Sequence, residues 1–237
     1  MQKVILYIYT IWQRITEIAW RNSLKRTKLN GVVLMYHHIS DTTLEGVPYS
    51  CQHTTQQFID SLDSVRKDGY TIVKLAELMN VIDSRSDRKV AVVTFDDIPE
   101  SVYKVAYPIL KENNIPFTVF ITTDFIGQPG FVTEEQLLSM SNDKLCTVGA
   151  HTCSHPFLRK SRNCMDELLD SKEWLERKLG KDVRFLAYPF GKFSSVSRKV
   201  IKCAKAAGYA CAFGTIDAPI TDMTARHRYF LPRMVLK

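Results

Sequence analysis

Three short polar clusters in this 237-residue chain carry side chains that could do chemistry, and each follows an apolar run. In "AVVTFDDIPE" an apolar stretch ends in two adjacent carboxylates, Asp96 and Asp97. Neighbouring like charges repel, and burying either is costly without a partner. A surface turn would accommodate them, and so would a metal ion. In "GAHTCSHP" two histidines, His151 and His155, are separated by three residues. On a helical turn that spacing sets two imidazoles on one face, suited to a single cation, although core and capping histidines share it. The third cluster, "YHH", supplies His37 and His38. Two histidines and one carboxylate would leave coordination positions open, as catalytic zinc sites do, and Asp97 is the available carboxylate. Asp96 would then stand close enough to take a proton from an attacking water, with the cation offsetting the repulsion between the acids. Side chains on a strand alternate, so one of the two acids must leave regular strand geometry for both to serve one site.

The elements that must position these residues alternate in type. "GVVLMYH", "YTIVK", "VAVVTF", "FTVFI", "CTVGA", "VRFLAYP", "ACAF" and "RYFLPRMVL" read as strands. Between them lie helical patterns: "TTQQFIDSLDSVRKDGY", "LAELMNVID", "PESVYKVAYPILKENN", "TEEQLLSM", "CMDELLDSKEWLERKLG" and "VSRKVIKCAKAAGY". Alternation of this kind implies parallel strands joined by crossover helices. No glycine-rich nucleotide loop is present, which favours a distorted or incomplete (β/α) barrel of about seven strands over an open nucleotide-binding sheet. In such barrels the chemistry sits on the loops after the strand C-termini, where all three clusters fall.

Net charge is +7, and much of it lies at one end: residues 1–28 carry Lys3, Arg14, Arg21, Lys25, Arg26 and Lys28 against Glu17 alone. A nucleic-acid protein would spread basic side chains over its folded surface, so nucleic acid is not expected as a partner. The apolar run there is too short to span a membrane, and Ile5, Ile8, Trp12, Ile15 and Ala19 form one helical stripe. The expectation is an N-terminal amphipathic basic helix over 1–29, docked on protein or lying on a membrane surface, followed by one domain over 30–237. Six cysteines without a paired spacing lean toward a reducing compartment. With no small-residue cleavage site after the apolar run, the expected location is cytoplasmic, peripheral at the inner face of the cytoplasmic membrane.

"TFDD", "HTCSHP" and "AYPFGKFS", in this order, resemble the polysaccharide deacetylases with a NodB-homology domain, carbohydrate esterase family 4, over residues 31–237. The early "LMYHHIS" resembles the circularly permuted branch that acts on bacterial exopolysaccharides. The resemblance implies Asp96 as general base, Asp97, His151 and His155 as ligands of one divalent ion, and His37 as the acid that protonates the leaving amine. Zinc is the expected metal, with cobalt or nickel as alternatives. Tyr188, Pro189 and Phe190 in "YPFG" would line the substrate side, with the Phe190 N–H holding the oxyanion. Arg233 in "FLPR" is grouped with them on the oxyanion and substrate side, where it either pairs with the acid–base residues or makes a surface or structural ion pair. His38 is the weaker choice of acid, since strand alternation turns it away.

Two positions depart from the family pattern. Ile98 stands where glycine is usual, a change expected to reshape the cleft, and Ala187 replaces an arginine that would partner Asp96. The implied activity is metal-dependent removal of N-acetyl groups from amino sugars of a bacterial surface polysaccharide or its lipid- or nucleotide-linked precursor. The rivals are a catalytically silent glycan-binding barrel and a related metal hydrolase acting on another C–N amide bond.

Overall fold

The computed structural model describes residues 30–235, so the expected helix over 1–29, its membrane contact and the boundary at residue 30 lie outside the described residues. Among the described residues, ten strands and six α-helices follow, helices and strands alternating from the first helix to the ninth strand. β1 (Asn30–Tyr36) leads through β2 (His38–Ile39) and β3 (Gln52–His53) to α1 (Thr55–Lys67). Next come β4 (Thr71–Ile72), α2 (Leu75–Ser84), β5 (Lys89–Phe95), α3 (Tyr107–Glu112), β6 (Phe117–Ile121), α4 (Glu134–Ser141) and β7 (Cys146–Ala150). α5 (Cys164–Leu179), β8 (Phe185–Ala187), α6 (Arg198–Ala206), β9 (Cys211–Phe213) and β10 (Met234–Val235) complete the described elements.

Local sequence accounts for most boundaries. Thr54 and Thr133 cap α1 and α4 in full capping boxes with Gln57 and Gln136, and Ser197 accepts from Val200 N at the start of α6. Gly180 ends α5 in the left-handed conformation that costs glycine nothing. The helix expected over "PESVYKVAYPILKENN" is divided: Val102–Ala106 is wound as a π-turn and α3 begins only at Tyr107. Pro108 has no N–H to return to the preceding turn, and the wider turn accommodates that gap.

The sheet is parallel, in the order β10-β1-β5-β6-β7-β8-β9, with β4 paired to β5. It curls into the expected distorted, incomplete barrel. The closing strand is shorter than "RYFLPRMVL" predicts. Pro232 interrupts it, so that among the described residues Leu231, bridged to Phe213, and Met234–Val235, paired with β1, join the sheet. That short segment nevertheless touches both edges of the sheet and draws them together.

Pleating sorts the side chains. Val32, Leu34, Ala91, Val93, Phe95 and Val119 pack outward under the helices, whereas Val33, Val92, Phe120, Phe213 and Leu231 fill the interior, which α2 plugs from below. Inward residues stack in layers, and above the apolar ones the same parity sets Thr94 and Asp96 on β5, Thr122 after β6, His151 after β7 and Arg233 beside β10. The barrel mouth is therefore polar because apolar strands run out into polar residues on their inward register.

Candidate metal and hydrolytic site

Asp96 continues the ladder of β5, its N–H donating to Tyr36 O at 2.9 Å. The chain then kinks: Asp97 and Ile98 have φ of 62° and 59°, and the Ile98 N–H closes back on Asp96 O at 2.7 Å. This turn takes Asp97 out of strand alternation, so both acids face the mouth, as the adjacent pair required. Left-handed backbone is unfavourable for any β-branched residue. Ile98 holds it because its side chain is wholly buried in the core among the outward residues. The expectation that Ile98 reshapes the cleft is thus corrected: its side chain points away from it.

His151 and His155 do not share a helical turn, contrary to the spacing argument. His151 ends β7, its N–H bonded to Ile121 O at 2.7 Å, and the next residues form a turn with Thr152 and His155 at φ 73° and 58°. The rings still converge, with centroids 5.0 Å apart. Each Nε2 lies 3.5 Å from the same Asp97 oxygen. Ligand atoms of Asp97, His151 and His155 all fall within 4.8 Å of one another. Bonds of about 2.0–2.1 Å to a tetrahedral cation put neighbouring ligand atoms about 3.3–3.4 Å apart, close to the two Asp97–histidine separations of 3.5 Å. His151 Nδ1 is 2.8 Å from Ala187 O, an acceptor only, so Nδ1 carries the proton and Nε2 presents a lone pair toward Asp97. Burial holds both imidazoles below the usual histidine range, against the pull of nearby acids. Two neutral nitrogens and a carboxylate oxygen fit a divalent cation of the zinc class. The Thr122 hydroxyl, 3.4 Å from the same Asp97 oxygen, was not singled out in the sequence; a polar residue directly after "FTVFI" is its only signal.

Asp96 has a different environment. Burial acts to raise its carboxyl, but Arg233, then His151 and His37, hold it well below the usual carboxylate range. Arg233 clasps it in a two-pronged pair, 2.6 Å at each oxygen, and is itself anchored to Gly214 O at 3.0 Å and Thr94 Oγ1 at 3.3 Å. Neither partner is exposed. The structure thus makes Arg233 the buried ion-pair partner of Asp96, so a guanidinium from the chain's far end stands beside the carboxyl whose partner was left open by Ala187. Arg233 is therefore corrected as a substrate contact, since Asp96 and the barrel wall enclose it.

His37, half-buried at the end of β1, acts electrostatically on both Asp96 and His155, which places it at the same mouth. His38 has turned aside into β2, opposite Gln52. Tyr188 is also corrected as a substrate contact: its ring is buried among the outward residues and its hydroxyl donates to Tyr229 O at 3.0 Å. Pro189 is buried as well, leaving Phe190 as the exposed member of "YPFG", at φ 60° and 52% exposure. Its ring stands 4.8 Å from that of His155, with Phe157 at 5.7 Å beyond. Phe125 flanks His155 on the other side at 6.1 Å, so aromatic faces border the ligand cluster.

Known proteins resemble this chain in sequence and in fold. YxkH of Bacillus subtilis, described as a polysaccharide deacetylase, is 29% identical over 195 residues, covering 81% of this chain and 66% of that protein. A poly-beta-1,6-N-acetyl-D-glucosamine N-deacetylase of Staphylococcus aureus is 28% identical over 161 residues, or 61% of this chain and 53% of that one. The chain thus spans between half and two thirds of the length of these relatives. The solved structure of IcaB from Ammonifex degensii superimposes with a TM-score of 0.75 at 25% identity, covering 88% of this chain and 92% of that one. The polysaccharide deacetylase family model matches residues 83–212, more than half the chain, and this protein belongs to that family.

Proposed function

We propose that the protein is a metal-dependent hydrolase that removes N-acetyl groups from an N-acetylglucosamine-containing bacterial surface glycan. The observation that carries this is the pairing, in one barrel mouth, of the Asp97–His151–His155 cluster with the Arg233-bound Asp96. A relative that acts on poly-β-1,6-N-acetylglucosamine, and aromatic faces beside the cluster suited to sugar rings, support the substrate class.

A divalent cation, zinc by its donor set, would be held by Asp97, His151 and His155, and when bound it polarises a carbonyl and makes neighbouring water more acidic. Asp96, kept ionised, takes the proton of the attacking water. Its low basicity suits a proton made acidic in advance, and the paired Arg233 fixes its orientation. The Phe190 N–H steadies the developing oxyanion, and His37 returns a proton to the departing amine. A catalytically silent barrel loses its two supports here, because Ile98 leaves the cleft and Arg233 stands in for the arginine absent at Ala187.

The deciding experiment incubates zinc-loaded protein with N-acetylglucosamine oligomers of β-1,6 and β-1,4 linkage and measures acetate. Acetate released by wild type and abolished in Asp96→Asn supports the proposal. Formate or ammonia in its place identifies another C–N amide as the target, and ligand retention without any release identifies a binding barrel. Work on a lipid- or nucleotide-linked precursor at the inner membrane face is part of the proposal, resting on the excess of basic residues over 1–28. Recovery of the protein outside the cytoplasmic membrane would overturn it.

A further inference from the structure

The ligand His151 is fixed by the sheet and by Ala187 O, but His155 hangs on a turn whose backbone is held largely from outside. Glu167, in the first turn of α5, reaches across to that turn. Its Oε2 accepts from the N–H groups of Cys153 and Ser154, both at 3.0 Å, and its Oε1 accepts from the Ser154 hydroxyl at 2.6 Å. Its own carbonyl accepts from Cys153 Sγ at 3.7 Å. The carbonyl side of the turn is tied separately: Thr123 N donates to Thr152 O at 3.2 Å and Asp124 N to Cys153 O at 3.0 Å. Inside the turn, Thr152 Oγ1 accepts from His155 N at 3.1 Å.

We propose that Glu167 is a positioning residue for the metal centre: its carboxylate grips Cys153 and Ser154 and so sets where His155 presents Nε2 to Asp97 and His151. The inference rests on the metal-site reading above. Two residues of this turn, Thr152 and His155, have left-handed φ without being glycine, so the turn does not hold its shape by local preference. A carboxylate at the start of a helix usually serves that helix, yet here the cap residue Asn163 makes no side-chain cap bond and Glu167 serves the turn instead. One helix thereby braces the turn that carries His155 beyond the end of β7. Outer partners of this kind tune metal affinity by orienting the ligands.

The test measures Zn2+ affinity of the full chain by competition with a chromophoric chelator, together with the Co2+ absorption spectrum and the unfolding midpoint in excess chelator. Glu167→Ala is expected to weaken Zn2+ about 10- to 100-fold and to alter the Co2+ bands. Glu167→Gln, whose amide oxygen can take both N–H groups while its NH2 donates to Ser154 Oγ, is expected to bind within about threefold of wild type. A role confined to folding would shift the unfolding midpoint and leave the affinity and spectrum of the folded fraction alone. Wild-type affinity in folded Glu167→Ala, or a Gln variant as weak as the Ala one, overturns the proposal. Should Glu167→Ala not fold, Ser154→Ala, at an exposed position, decides: about threefold weaker binding supports the clamp and unchanged binding overturns it. Absence of Zn2+ binding in wild type would overturn the metal reading, a result distinct from an unaffected variant.

Discussion

Replacing Arg233 by methionine should be among the more damaging single changes in the chain, and its cost should depend on pH. The substitution removes two 2.6 Å contacts to Asp96 together with the anchors to Gly214 O and Thr94, at a site where neither partner is exposed. Breaking a buried ion pair from one side costs about 3–5 kcal/mol, because the surviving charge keeps its desolvation penalty and loses its compensation. In wild type the carboxyl of Asp96 is depressed, so the pair's contribution is complete above the unfolded value of about 3.9 and is lost only as pH falls through the lower folded value. Without the guanidinium, the first of the groups holding it down, burial outweighs the remaining pull of His151 and His37 and the folded value rises above the unfolded one. The variant's penalty then grows as pH rises through that window, by about 1.4 kcal/mol per unit. Urea unfolding followed by tryptophan fluorescence, in excess chelator, should show a loss of about 3–5 kcal/mol at pH 7 that shrinks by about 1–3 kcal/mol at pH 5. Adding Asp96→Asn to the Arg233→Met variant should cancel the pH dependence. A loss below about 1 kcal/mol at neutral pH, or one unchanged between pH 5 and 7, would refute a buried charged pair.

Purified wild type should bind about one divalent ion and be stabilised by about 2.7 kcal/mol at zinc a hundredfold above its Kd, whereas Asp97→Ala and His151→Ala should fold and show neither effect in calorimetry. Ile98→Gly should relieve left-handed strain of about 1–2 kcal/mol but forfeit a buried side chain, for a net loss of about 1–4 kcal/mol. Its kcat/KM should stay within about threefold of wild type, because the side chain is outside the cleft; a larger fall in a folded variant would contradict that placement. Phe190→Ala keeps the backbone N–H while removing an exposed ring beside His155, so it should raise KM for glycan oligomers roughly 2- to 12-fold at nearly constant kcat. A collapse of kcat at unchanged KM would instead give the ring a part in the transition state.

Much of this protein was legible without its structure. Strand and helix order followed from periodicity and from caps such as Thr54, Thr133 and Gly180, which are local signals. The polar ends of "VAVVTF" and "CTVGA" marked the mouth of a parallel barrel, and the residue types in them pointed to a cation. Tertiary structure decided what depends on distant partners or on single backbone angles. That Arg233 pairs with Asp96, 137 residues away, required the last segment to lie beside β1, and no local pattern encodes that. That Tyr188 faces helices while Phe190 faces the cleft turned on the chain's path through "YPFG", where Phe190 takes a positive φ. The two histidines read as a helical pair meet instead through a left-handed turn, because spacing fixes a distance along the chain and only the fold fixes a direction in space.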